Sequence, residues 1–165
     1  MIPILYDKTG NTKITNLTDC IQCIVTEERN GMFEAELVYS VHSSNSDKLI
    51  RGNIIVADAN DTLKGQKFRI YKISKPINGR IKILARHISF DMARDVVTGL
   101  VIDNQSCEYA LNKLFSSSQF SQHFIGHSDI VNSQSTVING TTHILKAIVG
   151  VEGSIIDTFG TSPEI

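Results

Sequence analysis

Apolar and polar residues alternate along much of the first ninety positions, with the period of two that β-strands show. Phe33, Ala35 and Leu37 occupy one face of such a run, while Glu34 and Glu36 occupy the other. One buried face and one solvent-exposed face are typical of an antiparallel sheet. The pattern therefore predicts antiparallel strands in this half of the chain.

Two Asn-Gly pairs, Asn30-Gly31 and Asn78-Gly79, each separate two runs of this kind. An Asn-Gly pair easily adopts the two positive φ angles of a type I′ turn, so it favours a two-residue hairpin loop. Pro76 lies beside the second turn, where a missing amide donor disturbs a ladder least. The predicted hairpins pair Ile21–Glu28 with Met32–Val41, and Lys67–Ser74 with Arg80–Ile88.

The segment between the two hairpins contains a polar Ser/Asn stretch at His42–Asp47, which predicts a loop. A short apolar strand follows at Asn53–Ala57. Four or five antiparallel strands without a crossover helix between them indicate a small β-barrel or sandwich rather than a parallel sheet.

Helical spacing replaces strand alternation in the second half of the chain. Asp103 or Asn104 is the expected N-cap of an amphipathic helix. The apolar face of this helix has residues three and four apart: Cys107, Ala110, Leu111, Leu114 and Phe115.

A second helix is expected to begin at Thr141 or Thr142 and to end at Gly150, a favourable C′ residue. Its buried face would consist of Ile144, Leu145, Ile148 and Val149. The polar stretches Ser116–Ser121 and Asn132–Thr136 are expected to form turns, and Ser154–Phe159 is expected to begin a further element.

These patterns predict an α+β fold that is mainly β at the N-terminus. A small antiparallel β-barrel or sandwich occupies residues 1–92, and a helix-containing α/β unit occupies residues 93–165. Four or five strands leave the edges of a barrel open unless later sequence or a partner closes them. We therefore expect the second unit to be incomplete and the chain to be a fragment.

Composition and charge exclude several classes of protein. The 165 residues are 41% hydrophobic and 20% charged, which is typical of a soluble globular protein. The net charge of −1 provides no overall attraction to nucleic acid or to an anionic membrane. However, residues 1–90 carry 13 basic and 9 acidic side chains, and residues 91–165 carry 3 and 8.

Membrane insertion and secretion are not expected. No apolar run approaches the roughly 18 to 20 residues that span a bilayer. The N-terminal sequence MIPILYDKTGN has no basic segment of the kind that begins a signal peptide. The protein is therefore expected to be made in a cytoplasm and retained there or released by lysis.

The three cysteines do not form a disulfide framework. Cys20 and Cys23 have the spacing of a redox pair or of half a zinc site. On a regular strand, however, positions i and i+3 point to opposite faces, and Cys107 is remote. Buried, reduced, structural thiols are the favoured interpretation.

The histidines offer two weak candidates. His123 and His127 have the spacing of a metal-binding helix face, with Asp129 as a further ligand, but surface or partly packed histidines are favoured. His87, Ser89 and Asp91 contain the residue types of a catalytic triad. They lie at one strand end, whereas a triad is assembled from distant segments, so a locally bonded histidine is favoured there. We assign no catalytic, cofactor-binding or metal-binding residue.

The run Lys64–Arg86 contains eight basic and no acidic residues, with Phe68 and Tyr71 interleaved. A basic hairpin with aromatic rings is how a barrel binds single-stranded nucleic acid. The alternative is a solvated hairpin face or one that faces an acidic neighbour. Since Phe68 and Ile70 alternate with Arg69 and Tyr71, the two rings are not expected to share a face.

Three segments resemble a known family in their order and spacing. They are TEERNGMFEAEL (Thr26–Leu37), QKFRIYKISKPINGRIKILARHISFDM (Gln66–Met92) and EGSIIDTFG (Glu152–Gly160). They are similar to the N-terminal part of siphophage tail-associated proteins. This is the prophage tail or tail-endopeptidase family, also described as phage minor structural proteins.

The resemblance implies a non-enzymatic structural protein of the virion, located at the tail tip. Members resemble the trimeric baseplate hub of contractile-tailed phages, whose barrel domains close the tail tube. The implied partners are further copies of the chain in a homotrimer, the distal tail ring protein and the tail tube. No membrane, small-molecule substrate or cofactor is implied, and nucleic acid would be met only as it passes through the tube. Peptidoglycan endopeptidase activity would belong to regions outside this chain, and a single-strand-binding barrel that uses residues 64–86 is the alternative function.

Overall fold

The computed structural model describes residues 1–28, 31–119, 121, 124–128 and 133–144. The chain divides into two compact units, Met1–Ile88 and Ser89–Ile165. The fold is α+β and mainly β, which confirms the predicted class.

The first unit is a seven-stranded antiparallel sheet. Its strands are β1 (Ile4–Tyr6), β2 (Lys13–Asn16), β3 (Cys20–Glu27), β4 (Phe33–Ser40), β5 (Ile54–Ala57), β6 (Gln66–Ile73) and β7 (Arg80–His87). A short 3-10 helix, Ser46–Lys48, lies in the loop before β5. The order across the sheet is β2-β1-β5-β6-β7-β4-β3.

The sheet is rolled into an open barrel: its edge strands β2 and β3 are not paired with each other, but a very short connection joins them. Six strand spacings would separate β2 from β3 by about 29 Å in a flat sheet. Asn16 and Cys20 are four residues apart, a stretch that spans at most about 14 Å. Six antiparallel steps also make β2 and β3 run in the same direction, so together they form one bent strand. The earlier part of this strand pairs with β1 and the later part with β4.

The corner of the bent strand is fixed by backbone hydrogen bonds and by burial. Leu17 donates its N–H to the carbonyl of Pro3 at 2.8 Å, and Cys20 donates to the carbonyl of Leu17 at 3.1 Å. The side chain of Leu17 is fully buried. The inward-facing residues of the strands pack around it in a single core that includes Leu5, Leu37, Tyr39, Ile55, Phe68, Ile70 and Ile83.

The second predicted hairpin is confirmed together with its turn. Asn78 and Gly79 have φ angles of 49° and 71°, as a type I′ turn requires. Ile77 and Arg80 exchange two backbone hydrogen bonds of 2.9 and 3.0 Å across it. Alternate residues of β7 are buried, beginning with Ile81.

The first predicted hairpin is confirmed, but its two-residue loop is wrong. Glu27 pairs with Phe33, Glu28 donates its N–H to the Met32 carbonyl at 2.7 Å, and Gly31 donates to the Glu28 carbonyl at 3.0 Å. These bonds define a three-residue loop, the next commonest hairpin connection. Asn30 itself lies outside the described residues.

The second unit consists of β8 (Val96–Ser106), α1 (Cys107–Ser116) and β9 (Ser133–His143), preceded by a 3-10 helix at Ile88–Arg94. The two strands pair antiparallel, with register shifts between Thr98 and Leu100 and between Ile102 and Gln105. Helix α1 packs against β8 around a second core of Val97, Leu100, Ile102, Cys107, Ala110, Leu111, Leu114, Phe115 and Ile144.

The first helix is confirmed, but its predicted N-cap is wrong. Asp103 and Asn104 belong to β8, where Asn104 takes a positive φ of 50° beside a register shift. The N-cap is Ser106, whose hydroxyl accepts a hydrogen bond from the N–H of Tyr109. Such a cap satisfies one of the free amides of the first turn.

The predicted start of the second helix is also wrong. Thr141 and Thr142 lie in β9, opposite Thr98 and Val97, and the predicted turn at Ser133–Thr136 is strand as well. Of the predicted buried face, Ile144 is described and is fully buried. The rest of that prediction, together with Ser154–Phe159, lies outside the described residues.

Asp95 is a fully buried carboxylate that the sequence patterns do not single out. Its Oδ1 accepts hydrogen bonds from the N–H groups of Val96 at 2.8 Å and Gln119 at 3.1 Å. Its own carbonyl accepts the N–H of Ile144 at 3.0 Å. One residue therefore joins the start of β8, the segment after α1 and the end of β9.

Candidate interaction surface

The basic hairpin β6–β7 does not offer its first aromatic ring to a ligand. Phe68 is 0% exposed and lies in the barrel core. Its ring centroid is 5.3 Å from that of Phe33 and 5.6 Å from that of His87, edge-on in both pairs. The ring is thus part of an aromatic cluster inside the barrel.

The second ring, Tyr71, lies on the opposite, outer face of the sheet, as predicted. Its hydroxyl donates to Glu34 Oε2 at 3.0 Å, and the Arg86 guanidinium lies 4.5 Å above the ring centroid. Arg86 Nε donates to the other oxygen of Glu34 at 2.8 Å, because the strand register places these two residues opposite each other. Burial and the Glu34 hydrogen bond raise the pKa of Tyr71, and the same carboxylate raises the pKa of Arg86.

Other cations of the hairpin are bound within the same unit. Lys82 Nζ lies 2.8 Å from Glu36 Oε2. The Arg69 guanidinium donates to the carbonyls of Lys8 at 2.8 Å and Gly52 at 2.9 Å. These side chains stabilise strands and loops of the barrel, which accounts for much of the basic run.

Three cations near the turn remain exposed: Lys72, Lys75 and Arg80. No described carboxylate lies within 4.0 Å of any of them. Between Lys75 and Arg80, the apolar side chain of Ile77 is 71% exposed. A rigid turn therefore presents an apolar side chain flanked by positive charge.

The cysteine pair corrects a geometric expectation. A β-bulge between Cys20 and Gln22 shifts the strand phase, so Cys20 and Cys23 both pack against the core instead of facing opposite sides. Burial, and then the neighbouring Cys20, raise the pKa of Cys23 to about 11, and burial raises the pKa of Cys20. Redox chemistry and zinc binding use thiolates, and the raised pKa values of both residues disfavour that form. Cys107 is buried in the second unit.

The histidines take packing or surface roles where they are described. The ring of His87 stacks on Phe33 at 4.3 Å, while Ser89 and Asp91 lie in the following 3-10 helix. His127 Nδ1 lies 3.1 Å from Glu108 Oε2 on α1. His123 and Asp129, the other parts of the possible metal site, lie outside the described residues.

Neither a metal site nor a membrane-spanning helix is found in the described ranges. No group of three or more His, Cys, Asp or Glu side chains there is arranged to hold a metal ion. No helix in the same ranges is long and apolar enough to cross a membrane.

The sequence patterns missed the exposed apolar side chain at the hairpin tip. The available signal was an isoleucine between Pro76 and Asn78, in a turn where polar residues are usual. The turn does not need an apolar side chain at this position, which is one of several exposed apolar residues on the described surface.

No protein-family model matches the chain, and no curated protein does. Among solved structures, the chain is similar to the crystal structure of prophage tail protein gp18 from Listeria monocytogenes EGD-e, with a TM-score of 0.65 and 17% sequence identity. The similarity covers 93% of this chain and 46% of that protein. The chain therefore spans about half the length of the solved protein, and at this identity the two share a fold.

Proposed function

We propose that the chain is a structural component of a phage tail, the N-terminal part of a tail-associated protein. The observation that carries the proposal is the fold similarity to a prophage tail protein over 93% of the chain. The three segments that resemble siphophage tail-associated proteins support the same assignment independently of the fold.

Within the tail, the proposed position is the tip, as a hub that closes the tail tube and supports downstream regions that meet the host wall. The partners would be two further copies of the chain, the distal ring protein and the tube, and the location would be the virion. A rolled sheet around one close-packed core supports this role, because such interiors have low compressibility.

The proposal assigns no catalytic step to this chain. The thiols of Cys20 and Cys23 are held protonated, and the ring of His87 is stacked inside an aromatic cluster. Any cleavage of peptidoglycan would belong to regions outside the chain.

The nucleic-acid alternative finds little support in the geometry. Stacking on bases supplies much of single-strand affinity, and it needs accessible ring faces. Phe68 is inside the core, and one face of Tyr71 is covered by Arg86. Charge near the turn and the other face of Tyr71 would be left to hold a strand.

Immunogold electron microscopy tests the proposed function. Antibodies raised against the chain should label the distal end of tails on particles released from the producing host, and quantitative mass spectrometry should give three copies per particle. Disrupting the coding sequence should yield particles without functional tail tips. Purified infectious particles that lack the chain would refute the proposal.

Two solution assays test the alternatives in parallel. A cell-wall zymogram of the chain should show no clearing, and labelled oligonucleotides should show no salt-sensitive change in anisotropy. A cleared band would restore the enzymatic interpretation, and tight salt-sensitive binding would restore the nucleic-acid one.

A further inference from the structure

The loops of the first unit fall at two opposite ends of the barrel, because neighbouring strands are antiparallel. Loops 7–12, 41–53 and 74–79 share one end, where Val41 donates its N–H to the Gly79 carbonyl at 3.0 Å. Loops 28–32 and 58–65 share the other, where Asn60 Nδ2 donates to Glu27 Oε2 at 3.0 Å. The charges of the unit divide between these ends.

The first of these, the basic end, has six cations against three anions. Two of the anions are already engaged: Asp7 accepts backbone N–H groups of its own loop, and Asp19 accepts the Ser43 hydroxyl at 2.6 Å. Ile77 and Ile50 add exposed apolar surface, at 71% and 47% exposure. The cations are Lys8, Lys13, Lys48, Arg51, Lys75 and Arg80, and the anions are Asp7, Asp19 and Asp47.

The opposite, acidic end has four anions against two described cations, Lys64 and the N-terminal amine of Met1, which lies 3.7 Å from Asp58 Oδ2. Lys64 lies 3.8 Å from Asp58 and 3.7 Å from Asp61, so it is already shared between carboxylates. Met32 is 45% exposed and Leu63 is 37% exposed beside them. The anions are Glu27, Glu28, Asp58 and Asp61.

We propose that the basic end of one copy docks on the acidic end of the next copy, with Ile77 as the apolar anchor. The partner is thus a second copy of this chain, since one molecule carries both complementary surfaces. The inference rests on the self-association in the proposed function and names the surfaces that make it. A contact between two different surfaces is heterologous, and it closes a ring if the rotation between copies allows it.

The hairpin tip is suited to such docking before any partner arrives. The two positive φ angles of Asn78 and Gly79 and the paired Ile77 and Arg80 hold the turn in one conformation. Little conformational entropy is then lost when the tip is buried. Cations around an apolar centre also match the usual anatomy of an interface, with a dry core and a polar rim.

Charge reversal at each end tests the contact. The 165-residue chain is made with Lys75→Glu/Arg80→Glu at the basic end, or with Glu28→Lys/Asp61→Lys at the acidic end. Sedimentation velocity at low ionic strength should show concentration-dependent association of the wild-type chain, weakened at least about tenfold in either variant. An equimolar mixture should associate again, because each variant supplies the intact end that the other has lost.

The matched control is Arg94→Glu/Lys113→Glu, which changes the net charge as much as the basic-end variant but at exposed positions of the second unit. It should associate like the wild type. A second variant, Ile77→Ser, should weaken association while leaving the charge unchanged.

A monomeric wild type, a mixture that fails to associate, or a control that loses association would each overturn the inference. Loss of oligonucleotide binding in Lys75→Glu/Arg80→Glu, without self-association of the wild type, would instead identify the basic end as a nucleic-acid surface. If gold labels the tail tip while charge reversal has no effect, this inference fails and the proposed function stands. If the mixture of the two charge-reversal variants associates but particles lack the chain, the proposed function fails and this inference stands.

Discussion

Replacing Phe68 with alanine separates the core interpretation of the basic hairpin from the nucleic-acid one. The side chain is 0% exposed and makes edge-on contacts with Phe33 and His87 at 5.3 and 5.6 Å. Truncating a buried phenylalanine costs about 3 to 5 kcal/mol, and each aromatic pair contributes about 0.5 to 1.5 kcal/mol of the interaction lost. We expect Phe68→Ala to lower the free energy of unfolding by about 4 kcal/mol.

Urea unfolding measures this loss. With a slope of about 1.5 kcal/mol per molar urea, the midpoint should fall by about 2.7 M. The chain has no tryptophan, so far-ultraviolet circular dichroism and tyrosine fluorescence are the suitable probes. The conservative variant Phe68→Leu should lose under about 1.5 kcal/mol, because it keeps most of the buried volume.

The exposed control is Ile77→Ala, which should change stability by no more than about 0.5 kcal/mol because its side chain is 71% exposed. Oligonucleotide anisotropy should be the same for the wild type and for Phe68→Ala. Wild-type stability in Phe68→Ala, combined with a loss of oligonucleotide affinity, would show that the ring is accessible and would refute the reasoning.

Three further predictions follow from individual contacts. The pKa of Cys23 is raised from 9.0 to about 11, so its thiolate fraction at pH 8 should be about a hundredfold lower than that of a free cysteine. Its alkylation should be about tenfold slower, because the more basic thiolate is the stronger nucleophile. Its contribution to stability, present below pH 9, should be lost as the pH rises towards 11, and alkylation at the free-cysteine rate would contradict both expectations. Gly126→Ala should destabilise the second unit by about 1 to 3 kcal/mol in thermal unfolding, because the added Cβ would collide with Leu111 Cβ. The control Gly99→Ala, with open space around it, should show only the cost of its positive φ. Asp95→Ala should lower the free energy of unfolding by about 3 kcal/mol, because two buried N–H groups lose their acceptor. Asp95→Asn should lower it less, because the amide oxygen still accepts. Equal losses of stability in the two variants would argue against the hydrogen bonds as the cause.

The sequence could predict the elements whose signals are local. The turn at Asn78-Gly79 is specified by two residues that tolerate positive φ, and the face of α1 by five apolar residues at helical spacing. Both are interactions between residues close in the chain, so periodicity and turn chemistry were sufficient. The order of the strands in the sheet, by contrast, depends on pairings between residues that are distant in the sequence.

The missed features depend on register rather than on composition. Cys20 and Cys23 share a face only because a bulge interrupts β3, and Asn104 resembles a helix cap while it sits beside a register shift in β8. Asn139-Gly140, the same residue pair that forms the turn at Asn78-Gly79, lies within β9, where Gly140 has a φ of 77°. A residue that tolerates positive φ marks a bulge as readily as a turn, and only the partner strand decides between them.

The candidate surface was predictable in part. The excess of basic residues in the first ninety positions is visible in the sequence, but their division between two ends follows from the sheet order. The sequence also could not reveal that Arg69 and Arg86 are occupied by carbonyls and a carboxylate within the unit. These bonds join residues 17 to 61 positions apart, beyond the reach of any local pattern.

The bent strand gives the first unit an unusual response to load. Where the ends of a rolled sheet meet only through hydrogen bonds, outward tension can unzip the seam one bond at a time. Here the peptide backbone from Asn16 to Cys20 crosses that seam, so a force that widens the hoop pulls on covalent bonds. Protease cleavage between Asn16 and Cys20 would keep every strand in the sheet, but it would remove the covalent link between the two edge strands.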